Sequence, residues 1–64
     1  MSYLFYEIWA EDETGHQELI DTTSSEKEAE EIAKDAIEST DWIEVTIYKE
    51  NEDGDLVALK QLQN

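Results

Sequence analysis

The segment YLFYEIWA, residues 3–10, constrains the fold most, because it is apolar on both faces of a predicted strand. Side chains alternate along a strand, so even-numbered residues such as Ile8 point to one side. Tyr3, Phe5 and Trp9 point to the other side. A strand that is apolar on both sides belongs in the middle of a sheet. The segment therefore predicts a central strand with one face covered by the rest of the chain and a second face that needs another cover.

Chain length and the lack of cysteine limit how large the core can be. The chain has 64 residues and no cysteine, which predicts one domain over residues 1–64. A chain of this size buries only about 60% of the surface that its unfolded form exposes. Without cysteine, neither a disulfide nor a thiolate metal site can supplement so small a core. No apolar run reaches the roughly 20 residues that cross a bilayer, and the N-terminus does not resemble a signal peptide. These features predict a cytoplasmic protein that does not enter a membrane.

One helix is predicted over the segment EKEAEEIAKDAIES, residues 26–39. Five apolar side chains recur there at helical spacing and form one stripe: Ala29, Ile32, Ala33, Ala36 and Ile37. Ser25 followed by Glu28 fits a capping box, in which each side chain accepts a backbone N–H at the start of the helix. The segment DTTSSEKEAEEIAKDA resembles the strand, capping box and alanine-rich helix of many small domains, HicB-type antitoxins among them. Those antitoxins have a third strand before the helix, which this chain lacks.

Alternating apolar residues predict four strands, and glycine-containing turns separate the members of each pair. The strands are expected over residues 3–11, 16–23, 41–50 and 56–62. The order β-β-α-β-β favours a two-layer α+β fold, in which one helix lies on one face of a four-stranded antiparallel sheet. Placing the two most apolar strands in the centre gives the order 2-1-3-4. The helix is then expected to cover Leu4, Tyr6, Ile8, Ile43, Val45, Ile47, Val57 and Leu59.

The turn around Gly54 sets the register of the last strand. A two-residue turn would pair Ile47 with Lys60 and place the lysine on the core side. A three-residue loop that ends in a left-handed Gly54 pairs Ile47 with Leu59 instead. The second register keeps Val57 and Leu59 inside the core, so the apolar pattern favours it.

Five of the six aromatic residues are predicted on the sheet face away from the helix. We call this set the aromatic face: Tyr3, Phe5, Trp9, Trp42 and Tyr48. Tyr, Trp and Phe are enriched in the cores of interfaces, so this face is expected to contact a partner protein or to form a homodimer. The alternative is that aromatic residues only favour strands and shield one another across the sheet. Glutamates predicted on the same face leave that alternative open.

Charge is the strongest compositional feature. Eighteen Asp and Glu residues face four Lys and Arg residues, which gives a formal net charge of -14. Nucleic acids and anionic membranes are bound through Lys and Arg, so direct binding to either is not expected. A negative field favours basic partner proteins and speeds encounter with them. Two alternatives stay open: the acidity keeps a small protein soluble, or it is an adaptation to high salt.

The acidic residues predict a surface for a basic partner. Those expected to bind it lie on the helix and in the second hairpin: Glu26, Glu30, Glu31, Asp35, Glu38, Glu50, Glu52, Asp53 and Asp55. Carboxylates along a compact body imitate nucleic-acid phosphates, which proteins hold with Lys and Arg. The leading functional prediction is a non-enzymatic binding module, such as a phage- or plasmid-type inhibitor that mimics nucleic acid, with a basic, nucleic-acid-binding protein as partner. The alternative is a small structural or assembly protein that forms a homodimer through the aromatic face.

Catalysis is not expected, because the chain has one histidine and no cysteine. His16 follows a turn, where a solvated histidine is the default. No serine has a histidine close in sequence to activate it. Residues 49–60 superficially resemble a Ca²⁺-binding EF-hand loop, but Lys49 and Lys60 occupy positions that require carboxylates. Neither a cofactor nor a metal site is predicted.

Overall fold

The structure is a computed structural model that describes residues 5–39 and 41–63, and within them it has four strands and one helix. The elements are β1 Tyr6–Glu11, β2 Gln17–Thr23, α1 Glu26–Glu38, β3 Glu44–Glu50 and β4 Leu56–Gln63. Neighbouring strands are antiparallel, and the sheet order is β2-β1-β3-β4. The helix packs on one face, so the predicted α+β fold and strand order are confirmed. Tyr3 and Leu4, predicted in the first strand, lie outside the described residues.

The core lies between α1 and the two central strands. Every second residue of β1 and β3 points to the helix, and Ile8, Val45 and Ile47 are fully buried there. The stripe on α1 contributes Ala29 and Ala33, which are also fully buried, and such small side chains let the helix lie close to the sheet. Partly buried apolar side chains pack around this core: Ile20, Ile32, Ala36, Ile37, Trp42 and Leu62. Burial of one valine or isoleucine side chain contributes roughly 1.5–3 kcal/mol, so a few such residues carry most of the apolar stabilisation.

The start of α1 is held by three side chains. Ser25 is the N-cap, and its hydroxyl oxygen accepts a hydrogen bond from the Glu28 backbone N–H at 3.4 Å. Thr23 replaces the second half of the predicted capping box. Its hydroxyl oxygen accepts from the Ser25 backbone N–H at 3.2 Å, and its hydroxyl donates to the Glu28 carboxylate at 2.6 Å. The cap at Ser25 is therefore confirmed, whereas Glu28 binds the end of β2 rather than the N-cap backbone.

The first hairpin turn is built around one aspartate. Asp12 Oδ1 accepts hydrogen bonds from the backbone N–H groups of Thr14 and His16, at 2.9 and 3.1 Å, and from the Thr14 hydroxyl at 2.7 Å. These bonds lower the pKa of the Asp12 carboxyl, and the bond from the Thr14 hydroxyl is the largest cause. Gly15 has a φ of 87°, a left-handed conformation that favours glycine because it carries no Cβ.

The second hairpin turn repeats this construction. Asn51 stands where the first turn has its aspartate, and its Oδ1 accepts from the backbone N–H groups of Asp53 and Asp55, at 3.0 and 2.9 Å. Gly54 also has a φ of 87°, as expected from the sequence. In the second turn an amide oxygen therefore accepts the same two backbone hydrogen bonds that a carboxylate oxygen accepts in the first turn.

The β-bulges of the two hairpins correspond as well. β2 has one extra residue opposite the step from Ile8 to Trp9, and β4 has one opposite the step from Ile47 to Tyr48. β1 and β3 meet in the middle of the sheet with Ile8 directly opposite Ile47. The two hairpins are therefore related by an approximate two-fold axis that passes through this pair of isoleucines.

The predicted register of β4 holds from the turn to Ala58 and is wrong beyond the bulge. Ile47 lies opposite Lys60, not opposite Leu59 as expected. The bulge places one additional residue in β4, and apolar alternation alone does not reveal such an insertion. Val57 and Leu59, expected in the core, are 53% and 45% exposed. Leu62 packs against the core instead.

The start of β3 also differs from the prediction. The strand begins at Glu44 rather than at residue 41. Ile43, expected in the core, is 42% exposed, and its backbone N–H donates to the Glu11 carbonyl oxygen at 2.9 Å. Trp42, expected on the aromatic face, packs against the core cluster. Both residues lie in the irregular segment before β3, where the alternation of strand side chains does not apply.

Candidate functional site

The sheet has one face that α1 does not cover. We call it the open face. It is formed by side chains of β1 and β3 that point away from the core and by their neighbours on the edge strands. Its main residues are Glu7, Trp9, Glu11, Gln17, Leu19, Glu44, Thr46, Tyr48, Glu50, Gln61 and Gln63. Side chains alternate along each strand, and residues paired across neighbouring strands point to the same face of the sheet. The pairing therefore places all of these residues on one face.

Two aromatic rings lie at the centre of the open face. Trp9 lies opposite Thr46, and Tyr48 lies opposite Glu7. The Trp9 indole N–H donates to Glu7 Oε1 at 2.9 Å, which holds the ring beside that carboxylate. Thr46 is only 7% exposed although α1 is on the other face, so its neighbours on the open face shield it. Both rings are themselves half-buried, and their remaining surface is available for contact.

Two carboxylates lie side by side at one end of the open face, because Glu11 is directly opposite Glu44. Like charges in this position repel each other. Neutral side-chain amides donate hydrogen bonds to both carboxylates. Gln17 donates to Glu11 at 2.9 Å. Gln61 and Gln63 donate to Glu44 at 2.9 and 3.3 Å. These hydrogen bonds satisfy carboxylate oxygens without neutralising either charge, so this end of the face keeps two adjacent negative charges.

The lysines all lie away from the open face. Lys27 and Lys34 are exposed on α1, whereas Lys49 and Lys60 are on the helix side of β3 and β4. The open face has four glutamates: Glu7, Glu11, Glu44 and Glu50. A guanidinium or ammonium group can stack on an aromatic ring and pair with a carboxylate. The arrangement of two rings among uncompensated carboxylates therefore suits a cationic side chain.

The acidic residues predicted as a site are divided between two sides of the molecule. Those on α1 are exposed on the side away from the open face: Glu26, Glu30, Glu31, Asp35 and Glu38. Glu52, Asp53 and Asp55 are exposed in the second turn, at one end of the sheet. Of the predicted acidic residues, Glu50 lies on the open face. A flat partner surface therefore cannot contact the helix carboxylates and the open face at once.

Two rings of the predicted aromatic face, Trp9 and Tyr48, lie on the open face as expected. Phe5 precedes β1 and is half-buried, and its carbonyl oxygen accepts from the Glu50 backbone N–H at 3.0 Å, which continues the ladder between β1 and β3. Trp42 packs against the core, and Tyr3 lies outside the described residues.

Three carboxylates of the open face were not among the predicted binding residues: Glu7, Glu11 and Glu44. A signal for them exists, because alternation along β1 and β3 places them on the same face as Trp9 and Tyr48. The contact between Glu11 and Glu44 has no local signal, since it depends on the long-range register of β1 against β3.

Among residues 5–39 and 41–63, no three His, Asp or Glu side chains are placed to hold a metal ion. His16 is exposed in the first turn, and its backbone N–H is bonded to Asp12. No helix in the described part of the chain is long and apolar enough to cross a membrane.

No protein-family model matches the chain, and no curated protein or solved structure matches it either. A fold of this simplicity does not assign a function, because the same architecture serves unrelated purposes.

Proposed function

We propose that the protein is a non-enzymatic binding module of the cytoplasm, whose open face binds the basic surface of a partner protein. The observation that supports this most is the presence of Trp9 and Tyr48 beside four glutamates, with no lysine on the same face. A partner's arginine or lysine gains ring stacking and charge pairing here at once. Trp and Tyr are also the residues that most often dominate binding energy at protein interfaces.

The partner that we propose is a nucleic-acid-binding protein, which the chain inhibits in the manner of a phage- or plasmid-type nucleic-acid mimic. A net charge of -14 is carried on a body 39 Å long. This corresponds to one net negative charge in about 2.8 Å, which lies between the roughly 1.7 Å of duplex DNA and the roughly 3.4 Å of one of its strands. A basic groove shaped for nucleic acid therefore meets a comparable charge density on this protein.

Homodimer formation through the open face is the less favoured alternative. Two copies stacked face to face would enclose the four glutamates of each copy, with no lysine on either face to pair with them. Removal of unpaired carboxylates from water costs several kcal/mol per ion. A basic partner avoids this cost because it supplies the counter-charges.

The first test is capture of partners from a bacterial lysate, with elution by stepped salt and identification by mass spectrometry. We expect a nucleic-acid-binding protein that elutes at moderate salt, because contacts between exposed charges are screened. Added duplex DNA should displace it, because both ligands use the same groove. Binding that persists in the presence of saturating DNA would contradict mimicry while leaving the open face as a protein-binding surface.

The second test compares two sets of substitutions that remove the same number of charges. The open-face set is Glu7→Gln, Glu11→Gln and Glu44→Gln, and the control set on α1 is Glu26→Gln, Asp35→Asn and Glu38→Gln. We expect the open-face set to weaken partner binding at least tenfold and the α1 set to weaken it less than threefold. Trp9→Ala should weaken binding by about 2 kcal/mol, the scale of an interface hot spot. Equal losses from the two sets would show that only the overall field matters, and circular dichroism checks that each variant is folded.

A further inference from the structure

β4 is an edge strand with exposed apolar side chains. Its position at the end of the sheet order leaves one side of its backbone without a neighbouring strand among the described residues. Leu56, Val57 and Leu59 are 45%, 53% and 45% exposed. Unpaired backbone groups beside apolar side chains form a template for the addition of another strand.

Charge distinguishes β4 from the other edge of the sheet. β2 carries Glu18 and Asp21, and the two central strands carry two glutamates each. β4 has no acidic residue, and Lys60 is its single charged side chain. Two chains that each carry a net charge of -14 repel each other over most of their surface. β4 is the strand at which two such chains can approach.

A groove of mixed charge lies between α1 and β4. It has a volume of about 430 Å³ and is lined by Lys27, Glu30, Glu31, Lys34, Lys60 and Leu62. Three of the four lysines of the chain therefore meet here, next to two glutamates. The ion pair in the groove joins Lys60 Nζ to Glu30 Oε1 at 3.7 Å. In a two-fold interface the same patch occurs on both sides, so charge complementarity requires that the patch carry both signs. This groove meets that requirement, and the open face does not.

From these observations we infer that β4 binds a second copy of the chain, strand to strand and antiparallel, about a two-fold axis. The β4 bulge indicates the register. The bulge shifts the alternation of side chains between the first and last parts of β4. When Val57 pairs with the partner's Leu62, residues that lie opposite each other therefore have their side chains on the same face of the sheet. The axis then passes between Leu59 and Lys60. The product is one eight-stranded sheet with both helices on one side and both open faces on the other.

The dimer is independent of the proposed function. β4 pairing leaves both open faces uncovered, so a dimer can still bind a basic partner there. Loss of the dimer on substitution of β4 with partner binding retained, or the reverse, tells the two ideas apart.

Sedimentation equilibrium of the full chain between about 1 and 500 µM tests the inference. The expected mass at the upper concentrations is twice the 7.4 kDa of one chain. Val57→Glu places a carboxylate opposite the partner's Leu62 and should raise the dissociation constant at least tenfold. Leu19→Glu is the matched control: Leu19 is 43% exposed and lies on the β2 edge, so the constant should change less than threefold. A monomer at all concentrations, or equal effects of the two variants, would overturn the inference.

A cysteine variant provides a second measurement that does not depend on the stability of Val57→Glu. The chain has no cysteine of its own, so a single introduced thiol can react only with its copy in another chain. In the proposed register, the Cα atoms of the two Leu59 residues are roughly 6 Å apart, within the range of a disulfide. Mild oxidation should convert Leu59→Cys to a covalent dimer at least tenfold faster than Leu19→Cys. Equal rates for the two variants would show that the chains do not meet preferentially at the β4 edge, which would overturn the proposal.

Discussion

Replacement of Val45 by alanine tests the position of the core, because the same replacement at Val57 is a matched control. Both valines lie in strands, so the loss of intrinsic strand preference is common to the two variants. Val45 is fully buried, whereas Val57 is 53% exposed. The apolar pattern of the sequence places both residues inside. Val57 lies opposite Lys49 on the helix side, but on the edge strand, where half of it stays exposed.

The expected costs follow from these exposures. Val→Ala removes two carbons, and at about 0.8 kcal/mol for each buried CH₂ the loss at Val45 is about 1.6 kcal/mol. The cavity that remains adds about 1 kcal/mol, if about 40 Å³ stays empty at about 24 cal/mol per Å³. About half of the Val57 side chain is already in water, so its cost falls to about 0.8 kcal/mol without a cavity contribution. We expect the two variants to differ by about 1.5–2 kcal/mol.

Urea unfolding followed by tryptophan fluorescence measures both free energies of unfolding by linear extrapolation. A domain of 64 residues has a total stability on the order of 3–10 kcal/mol. Val45→Ala should therefore also lower the Tm by roughly 10–20 °C. Each variant is measured at two protein concentrations, because self-association would stabilise the folded state. A Val57→Ala cost equal to that of Val45→Ala would refute the placement of Val45 in the core and of Val57 outside it.

Three further predictions concern the cap and the turns. Ser25→Ala removes the acceptor at the start of α1 and should lower the free energy of unfolding by about 1 kcal/mol; an unchanged urea midpoint would argue against the cap. Gly15→Ala and Gly54→Ala should each cost roughly 1–2 kcal/mol, because a Cβ disfavours φ of 87°. Apart from the glycine and its two chain neighbours, no heavy atom lies within 4 Å of either added Cβ, so the two costs should agree, and clearly unequal costs would contradict the equivalence of the turns. The folded pKa of Asp12 lies below its ordinary 3.8, so the ionised carboxylate stabilises the fold above that pH. This stabilisation is lost as the pH falls through the folded pKa. Asp12→Asn, which reproduces the amide of Asn51, should therefore lose less stability than the wild type between about pH 6 and pH 3; superimposable pH profiles would count against the Asp12 bonds.

The fold class could be predicted because its signals are local. The alanine and isoleucine stripe of α1 has helical spacing, and Gly15 and Gly54 mark the two turns. The alternation in β1 and β3 then leaves few ways to arrange two hairpins and one helix. The strand order could be predicted because the two most apolar strands belong in the centre of the sheet. The residues of each strand show which two these are.

The errors have a different physical origin. The register of β4 depends on a bulge, and the insertion of Leu59 leaves no mark in the apolar pattern because leucine fits both registers. Trp42 was misplaced because the start of β3 was set too early. For the open face, alternation predicted Trp9 and Tyr48 correctly, while the pairing of carboxylates across β1 and β3 joins segments that are far apart in sequence.

The equivalence of the two hairpins has a consequence for how the chain folds. Each hairpin joins its strands through one short turn, and such units form in about 1–10 µs. Contact between Ile8 and Ile47 instead requires closure of the long segment that contains α1, which carries a larger entropic cost. We expect the slow step to be the docking of two preformed halves, with these isoleucines meeting in the transition state. In kinetic terms, the folding of one chain resembles the association of two similar subunits. The two hairpins differ from separate subunits because α1 tethers them and sets their effective concentration.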